Sequence, residues 1–368
     1  MKILIIEPYF TGSHAVWANG YAKHSRHQIE ILSLTGKFWK WRMHGGAITL
    51  AEKFFKLKVM PDLILGTDML DLTTFLSLTR DRTSSIPVAI YFHENQLCYP
   101  WSPDDRDIIQ KRDKNYGFIN YTSALAAKEV FFNSEFHLNI FFEELHRFLK
   151  HFPDHRGLDN VEKIRKKSQV LHLGLDLKKF DLHKPATQTK NQRPIILWNH
   201  RWEYDKNPGD FFNALIILAE QGLEFEVAVL GENFSKNPIE FEKAQEKLGD
   251  RILQFGFAEL FEEYARWLWR ADIIPVTSKQ DFFGASAVEA IYCGCYPLLP
   301  SRLSFPEIIS IEKYPEKYYE NFEQLVEKLS KIIKEIEFIR RQNFDFTVDK
   351  YSWENMAPYY DEVLEGVT

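Results

Sequence analysis

Asp281-Phe282-Phe283-Gly284-Ala285-Ser286-Ala287-Val288-Glu289-Ala290 sets two carboxylates eight positions apart around a turn that opens a helix. The glycine sits where the chain must turn, and the small residues after it let the helix N-terminus come close to a ligand. Free N–H groups and the positive end of the helix dipole favour a diphosphate there. Each carboxylate can accept from hydroxyls, Asp281 from a sugar and Glu289 from a ribose. The same ten residues also fit an ordinary strand-to-helix turn with a solvated aspartate and an acid in the first helical turn.

Working outward, short apolar runs at Asp272 to Val276 and Tyr296 to Leu299 flank the motif, and earlier ones lie at Pro194 to Trp198, Glu224 to Leu230 and Ile252 to Gln254. Segments of helical length separate them, including one near Phe322 to Gln342. The first half alternates likewise, with candidate strands at Lys2 to Glu7, Gln28 to Ser33, Asp62 to Leu65, Pro87 to Phe92, Glu129 to Phe132 and Gln169 to Leu171. Such alternation argues parallel sheets covered on both faces. The expected architecture is therefore α/β, two Rossmann-like doubly wound domains facing across a cleft, with ligands at the carboxyl ends of the strands. A polar stretch at 182–193 reads as the linker between a domain of residues 1–181 and one of residues 194–350.

Composition supports two domains: 368 residues, 45% hydrophobic and 15% aromatic, are enough for two cores. No apolar run reaches the length of a membrane span. The N-terminal Met1 to Glu7 run reads as a buried first strand rather than a signal peptide. Three cysteines without metal spacing fit a reducing cytoplasm. The formal charge of −6 does not advertise a polyanionic partner, yet Lys37-Phe38-Trp39-Lys40-Trp41-Arg42 interleaves three cations with three aromatics. Aromatic faces stack on unpaired bases and cations meet phosphates, so this segment is the candidate RNA contact. The alternation equally fits an amphipathic strand with Trp39 and Trp41 on one side.

Arg201 and Lys206 follow the first strand of the second half, just before Pro208 at a helix start. Two cations there can neutralise a diphosphate, Arg as a fork and Lys as a point charge. Cations after this strand and carboxylates after the later one converge on one side of one sheet. In the first half, Gly12-Ser13-His14 follows the first strand and opens a helix, so its N–H groups can meet a donor diphosphate. A simple tight turn is the alternative. His93-Glu94-Asn95-Gln96 follows a buried strand, where polar side chains line a cleft or satisfy one another. Asp105-Arg106-Asp107 spells a metal-transferase motif, but a helix cap is the simpler role. No metal site is expected.

Arg201, Lys206, Asp281 and Glu289 match in order the signature of the retaining GT-B glycosyltransferases of family 4, which the second half resembles. Tyr351-Ser352-Trp353-Glu354 is similar to the start of that family's last helix, which implies that residues 351–368 cross back to the N-terminal domain. Asp281 stands where the family usually has Glu. Glu7 to His14, Phe38 to Arg42, Tyr91 to Leu97, Pro153-Asp154-His155-Arg156 and His200 to Glu203 narrow the resemblance to the tRNA-queuosine α-mannosyltransferases, from residue 1 to about 365. Thr11 replaces an expected glycine.

The resemblance implies transfer of mannose from GDP-mannose to queuosine in the anticodon of a tRNA for aspartate, with retention and no metal or other cofactor. Its partners would be a nucleotide sugar and tRNA, with no membrane, in the cytoplasm. It implies catalytic roles for Arg201, Lys206, His93 and Asp281, with His93 against the transferring sugar. Donor binding would fall to Gly12, Ser13, His14, Arg201, Lys206, Asp281, Phe283, Gly284 and Glu289. Acceptor or tRNA contacts would fall to Lys37, Trp39, Lys40, Trp41, Arg42, Glu94, Asn95, Asp154, His155 and Arg156. Rival readings are a family 4 enzyme with a lipid-linked or polysaccharide acceptor, and a non-catalytic nucleotide- or RNA-binding protein.

Overall fold

A computed structural model of the chain describes residues 1–101, 107, 114–186, 191–231, 239–342 and 347–368. These form two compact units, one of Met1–Leu175 with Tyr351–Thr368 and the other of Asp176–Lys350.

The first unit runs β1 (Lys2–Phe10), α1 (Gly12–His24), β2 (Gln28–Thr35), α2 (Trp39–Phe54), β3 (Leu63–Thr67), α3 (Leu72–Thr83), β4 (Val88–Phe92), α4 (Lys114–Ala126), β5 (Glu129–Phe132), α5 (Glu135–Lys150), α6 (Asp159–Arg165) and β6 (Ser168–Val170). Its strands pair in parallel in the order β2-β1-β3-β4-β5-β6. β3 and β4 are buried along their whole length, so they read as continuous apolar runs rather than alternating ones. Strand order reverses between β1 and β3, and such a switch point leaves a crevice at the carboxyl ends.

The second unit runs β7 (Ile195–Trp198), α7 (Pro208–Glu220), β8 (Glu226–Val229), α8 (Ile239–Leu248), β9 (Ile252–Phe255), α9 (Phe261–Arg270), β10 (Ile273–Pro275), α10 (Ala285–Tyr292), β11 (Tyr296–Pro300), α11 (Phe305–Ile308), β12 (Tyr318–Tyr319), α12 (Phe322–Lys334) and α13 (Ile336–Ile339). The order β12-β11-β10-β7-β8-β9 puts its switch point between β7 and β10.

Two boundaries differ from the sequence expectation. The first unit ends at Leu175, not at 181, because a 3-10 helix at Leu177–His183 belongs to the second unit. Phe180 is buried there against Phe261, and its carbonyl accepts from Trp269 Nε1 at 2.8 Å. Residues 187–190 of the expected linker lie outside the described residues. The helix expected near Phe322 to Gln342 breaks at Glu335 into α12 and α13.

The segment at 37–42 is not a strand. Phe38 takes a left-handed conformation (φ 55°) and α2 starts at Trp39. Neighbours two apart on a helix point to different sides, so Trp39 packs inward near Tyr116 and Trp101 while Trp41 is 63% exposed.

α14 (Trp353–Glu365) completes the first unit. Ser352 bridges Leu175, and the Trp353 ring lies over two glycines. A Cβ at Gly20 would fall 2.1 Å from Trp353 Nε1, and one at Gly174 would fall 2.4 Å from Cε3. Tyr21 donates to Asp361 at 2.7 Å, and Trp17 donates to the Tyr360 hydroxyl at 3.1 Å.

Candidate active site

The loops after β7 and β10 leave neighbouring strands, so their side chains meet at the switch point of the second sheet. Lys206 ends a 3-10 turn at Tyr204–Lys206. Its Nζ donates to Asp281 Oδ2 at 2.9 Å and to the Gln280 carbonyl at 3.0 Å, with Asp205 Oδ2 3.3 Å away. Asp281 Oδ1 accepts from the Gly284 N–H at 3.1 Å. One carboxylate thus ties the lysine to the turn that opens α10. Gly284 holds φ 89°, and a Cβ there would lie 2.9 Å from Phe305 Cε1, so the motif's glycine is required on both counts. Thr277 Oγ1 donates to the carbonyls of Lys206 and Asn207, both at 3.0 Å, and pins the loops together.

Burial pushes Asp281 upward, but the charge and hydrogen bond of Lys206, with His200 and Arg201 nearby, hold its carboxyl below the usual range. Burial likewise lowers Lys206, and the Asp281 and Asp205 charges more than reverse it. Both groups are therefore charged near neutrality. Arg201 is half-exposed, with its guanidinium 3.4 Å from Glu203 Oε2. Phe283 is buried.

Glu289 Oε2 accepts from the Tyr264 hydroxyl at 2.7 Å; burial raises its carboxyl and Tyr264 opposes the rise. Asn199 Nδ2 donates to that hydroxyl at 3.2 Å and to the Ser286 carbonyl at 2.8 Å. His200 Nδ1 is 2.7 Å from Ser286 Oγ. Burial, then the Lys206 charge, lowers His200 to about 4, so it is neutral. The sequence reading assigns no site role to Tyr264, Asn199, Ser286 or His200, although Ser286 lies in the motif turn and His200 opens one of the motifs that carry the resemblance. The position of Asn199 and His200 directly after a strand is a further signal that points to them. His200 Nε2, Asn199 Oδ1, Ser278 Oγ and Gln280 Nε2 are buried without hydrogen-bond partners. Such a cluster of unmet polar atoms is what a polar ligand or ordered water satisfies. A cavity of about 1120 Å³ lies at the other end of this sheet, near Ala271, Asp272 and Tyr296, away from these groups.

A second polar cluster occupies the switch point of the first sheet. Glu7, wholly buried on β1, accepts from Tyr9 N–H at 2.7 Å and sits 2.9 Å from His14 Nδ1 on α1. Burial, the largest influence, pulls His14 down, yet the charge and hydrogen bond of Glu7, with Asp68 and Glu94, raise it to about 9. His14 is therefore an imidazolium. Its ring lies 4.3 Å from that of His93, whose Nε2 is buried and unpartnered. His93 is kept neutral by burial and by the His14 charge. The His93 backbone N–H donates to Asp68 Oδ1 at 2.8 Å. Glu7, His14 and His93 have donor atoms within 4.8 Å of one another, spacing that could hold a metal. An imidazolium that donates to a carboxylate has no lone pair at that nitrogen, so the pair as it stands competes with a metal.

The other sequence candidates separate. Gly12 (φ 49°) and Ser13 are exposed at the start of α1. Thr11 is accommodated by Gly36, where a Cβ would lie 2.2 Å from the Thr11 methyl. Lys40 is drawn inward to Asp107, while Lys37 is exposed. Arg42 donates to the Thr35 carbonyl at 3.1 Å. Glu94 accepts from Gln96 Nε2 at 2.9 Å. Asn95 is buried, and its Oδ1 closes the turn by accepting from Leu97 and Cys98 N–H. Asp154, His155 and Arg156 form an exposed loop far along the sequence from these clusters, with His155 at φ 42°. Asp105 and Arg106 lie outside the described residues.

Comparison with known proteins assigns both units. Residues 2–175 match the family model described as tRNA-queuosine alpha-mannosyltransferase N-terminal, and residues 179–345 match glycosyl transferases group 1. Solved structures share the fold at low identity. An α,α-trehalose-phosphate synthase from Burkholderia xenovorans gives a TM-score of 0.69 at 11% identity, covering 100% of both chains. Anabaena HepE in complex with UDP and glucose gives 0.66 at 13%, again covering 100% of both. Two parallel six-stranded sheets and a group 1 transferase domain define a glycosyltransferase of the GT-B class. A Drosophila melanogaster protein described as tRNA-queuosine alpha-mannosyltransferase is 34% identical over 376 residues, which is 98% of this chain and 96% of that one. The chain belongs to the tRNA-queuosine alpha-mannosyltransferase family.

Proposed function

We propose that this enzyme transfers mannose from GDP-mannose to queuosine in the anticodon of a tRNA for aspartate, with retention of configuration. The observation that carries the transfer chemistry is the Lys206–Asp281–Gly284 arrangement at the β7/β10 switch point. The acceptor is suggested by the full-length similarity to the Drosophila protein.

Departure of a nucleoside diphosphate builds negative charge while the sugar becomes oxocarbenium-like. Lys206, Arg201 and the N–H groups at the start of α10 would stabilise that charge, electrostatic catalysis that needs no metal. Asp281 would exchange part of its hold on Lys206 for a sugar hydroxyl. Glu289, oriented by Tyr264, would accept from the ribose, and Phe283 would support the turn. The diphosphate itself would take the acceptor proton on the same face, so no protein nucleophile is required. His93 would offer its unmet Nε2 to the sugar. Gly12, Ser13 and the His14 cation would meet the donor's anionic part. Lys37, Trp41 and Arg42 would contact tRNA, with Trp39 and Lys40 buttressing them; Glu94, Asn95, Asp154, His155 and Arg156 would serve the acceptor.

Among the described residues, no helix is long and apolar enough to cross a membrane. We place the reaction in the cytoplasm, where tRNA and nucleotide sugars meet. The test is incubation with GDP-mannose and queuosine-containing tRNA, with UDP-glucose in parallel. A nucleoside heavier by one hexose from GDP-mannose is expected; an unchanged nucleoside with folded protein overturns the proposal.

A further inference from the structure

Phe38 and Trp41 are large aromatic side chains left in water, 78% and 63% exposed, three residues apart at the start of α2. Phe38 holds φ 55°, a left-handed conformation that is unfavourable for a residue with a bulky side chain. The conformation is fixed from both sides. Lys37 N–H donates to the Thr35 carbonyl at 2.8 Å, Arg42 Nε donates to the same carbonyl at 3.1 Å, and Arg42 N–H donates to the Phe38 carbonyl at 3.1 Å. Trp41 is backed by Gly45, where a Cβ would fall 2.6 Å from Trp41 Cζ2, so the glycine gives one side of the indole a seat on the helix. Strain of this kind persists where the surroundings impose it and often marks a site of use.

The stretch that carries the two rings holds charges of one sign. Lys37-Phe38-Trp39-Lys40-Trp41-Arg42-Met43-His44-Gly45-Gly46 contains no carboxylate, on a chain of formal charge −6. Lys37 makes no ion pair among the described residues, and Arg42 bonds only neutral oxygens there. By contrast Trp39 and Lys40 are used internally, against Trp101, Tyr116 and Asp107.

We propose that Phe38 and Trp41 form a stacking platform for unpaired bases of the RNA acceptor, flanked by Lys37 and Arg42 for its phosphates. The inference rests on the RNA-modifying function proposed above and moves the base contact from the Trp39/Trp41 pair, which the sequence alternation suggested, to Phe38 and Trp41. Bases stack on any aromatic face, while the neighbouring cations add sequence-independent attraction.

The test compares the wild type with Phe38→Ala, Trp41→Ala, the double alanine variant and Phe38→Leu/Trp41→Leu. The full chain is used with queuosine-containing tRNA and GDP-mannose, reading KM for tRNA, kcat and tRNA affinity by filter binding. Melting temperature with and without GDP-mannose checks that each variant is folded. We expect each alanine change to raise KM and Kd for tRNA roughly tenfold, and the double change more, at the scale of one lost base stack. The leucine pair is expected to behave like the alanine pair, because leucine keeps apolar area but has no π face. Alanine variants with wild-type KM and Kd overturn the platform while leaving the transferase reading intact. Leucine variants that match the wild type overturn stacking in favour of an apolar docking surface. A folded wild type with no affinity for tRNA removes the RNA reading itself, and the platform with it.

Discussion

Replacing Glu7 by glutamine keeps the shape of a buried side chain and removes its charge from the His14 imidazolium 2.9 Å away. A rise of His14 from 6.5 to about 9 corresponds to about 3 kcal/mol, at about 1.4 kcal/mol per pH unit. A charge-assisted hydrogen bond is worth about 1.5–3 kcal/mol net, so about 2–3 kcal/mol is the working magnitude. The folded-state value lies above the unfolded one. The stabilisation is therefore complete below about pH 6.5 and is lost as pH rises through 9. In Glu7→Gln, burial dominates and holds His14 neutral, so that dependence disappears. The stability gap between wild type and variant should be larger at pH 6 than at pH 9.5 by about 2–3 kcal/mol. For a unit of this size that is a change of roughly 5–10 °C in the Tm difference. The assay is thermal unfolding of both proteins across this range, with His14 titrated by NMR. Parallel Tm–pH curves, or a wild-type His14 that titrates at or below 6.5, would refute the buried ion pair.

Lys206→Ala should lower kcat about 100–1000-fold, the scale of one lost oxyanion donor, and steady-state transfer measures it; full activity would remove Lys206 from the site. Asp281→Asn should destabilise the fold at pH 7 but progressively less below about pH 4. The depressed Asp281 contributes above its unfolded 3.8 and loses that contribution as pH falls through its lower folded value, which acid titration of stability reads. Gly284→Ala meets both the left-handed φ and the Phe305 ring, and should cost about 1–3 kcal/mol by denaturant unfolding; an unchanged midpoint would contradict the turn geometry.

The two parallel sheets were readable from the chain because their strands are short continuous apolar runs separated by helical lengths. Burial on both faces writes itself directly into composition. The turn geometry of the Lys206 and Asp281 loops was readable for a related reason. A glycine at a tight turn, a proline at the first helical position and acids at fixed offsets are local requirements of backbone geometry, and Gly284, Pro208 and Asp281 meet them in place. Asp281 and Glu289 also lie within one short turn-and-helix segment, so their spacing is local to the chain.

What the linear chain could not show is which distant polar groups end as neighbours. Glu7 and His14 face each other because α1 folds back beside β1, and His93 joins them because β4 lies in the same sheet. Tyr264 reaches Glu289 across 25 residues because α9 and α10 pack against one sheet. Phe38 reversed the expected sidedness of its segment through a single left-handed residue, fixed by hydrogen bonds to Thr35 and Arg42 that have no signature in hydrophobic periodicity. The amino-acid order determined the strands, the helices and the turn chemistry, since these depend on nearest neighbours and apolar period. Tertiary structure decided the charge states and the partners, because desolvation and Coulomb interaction depend on distance in space rather than along the chain.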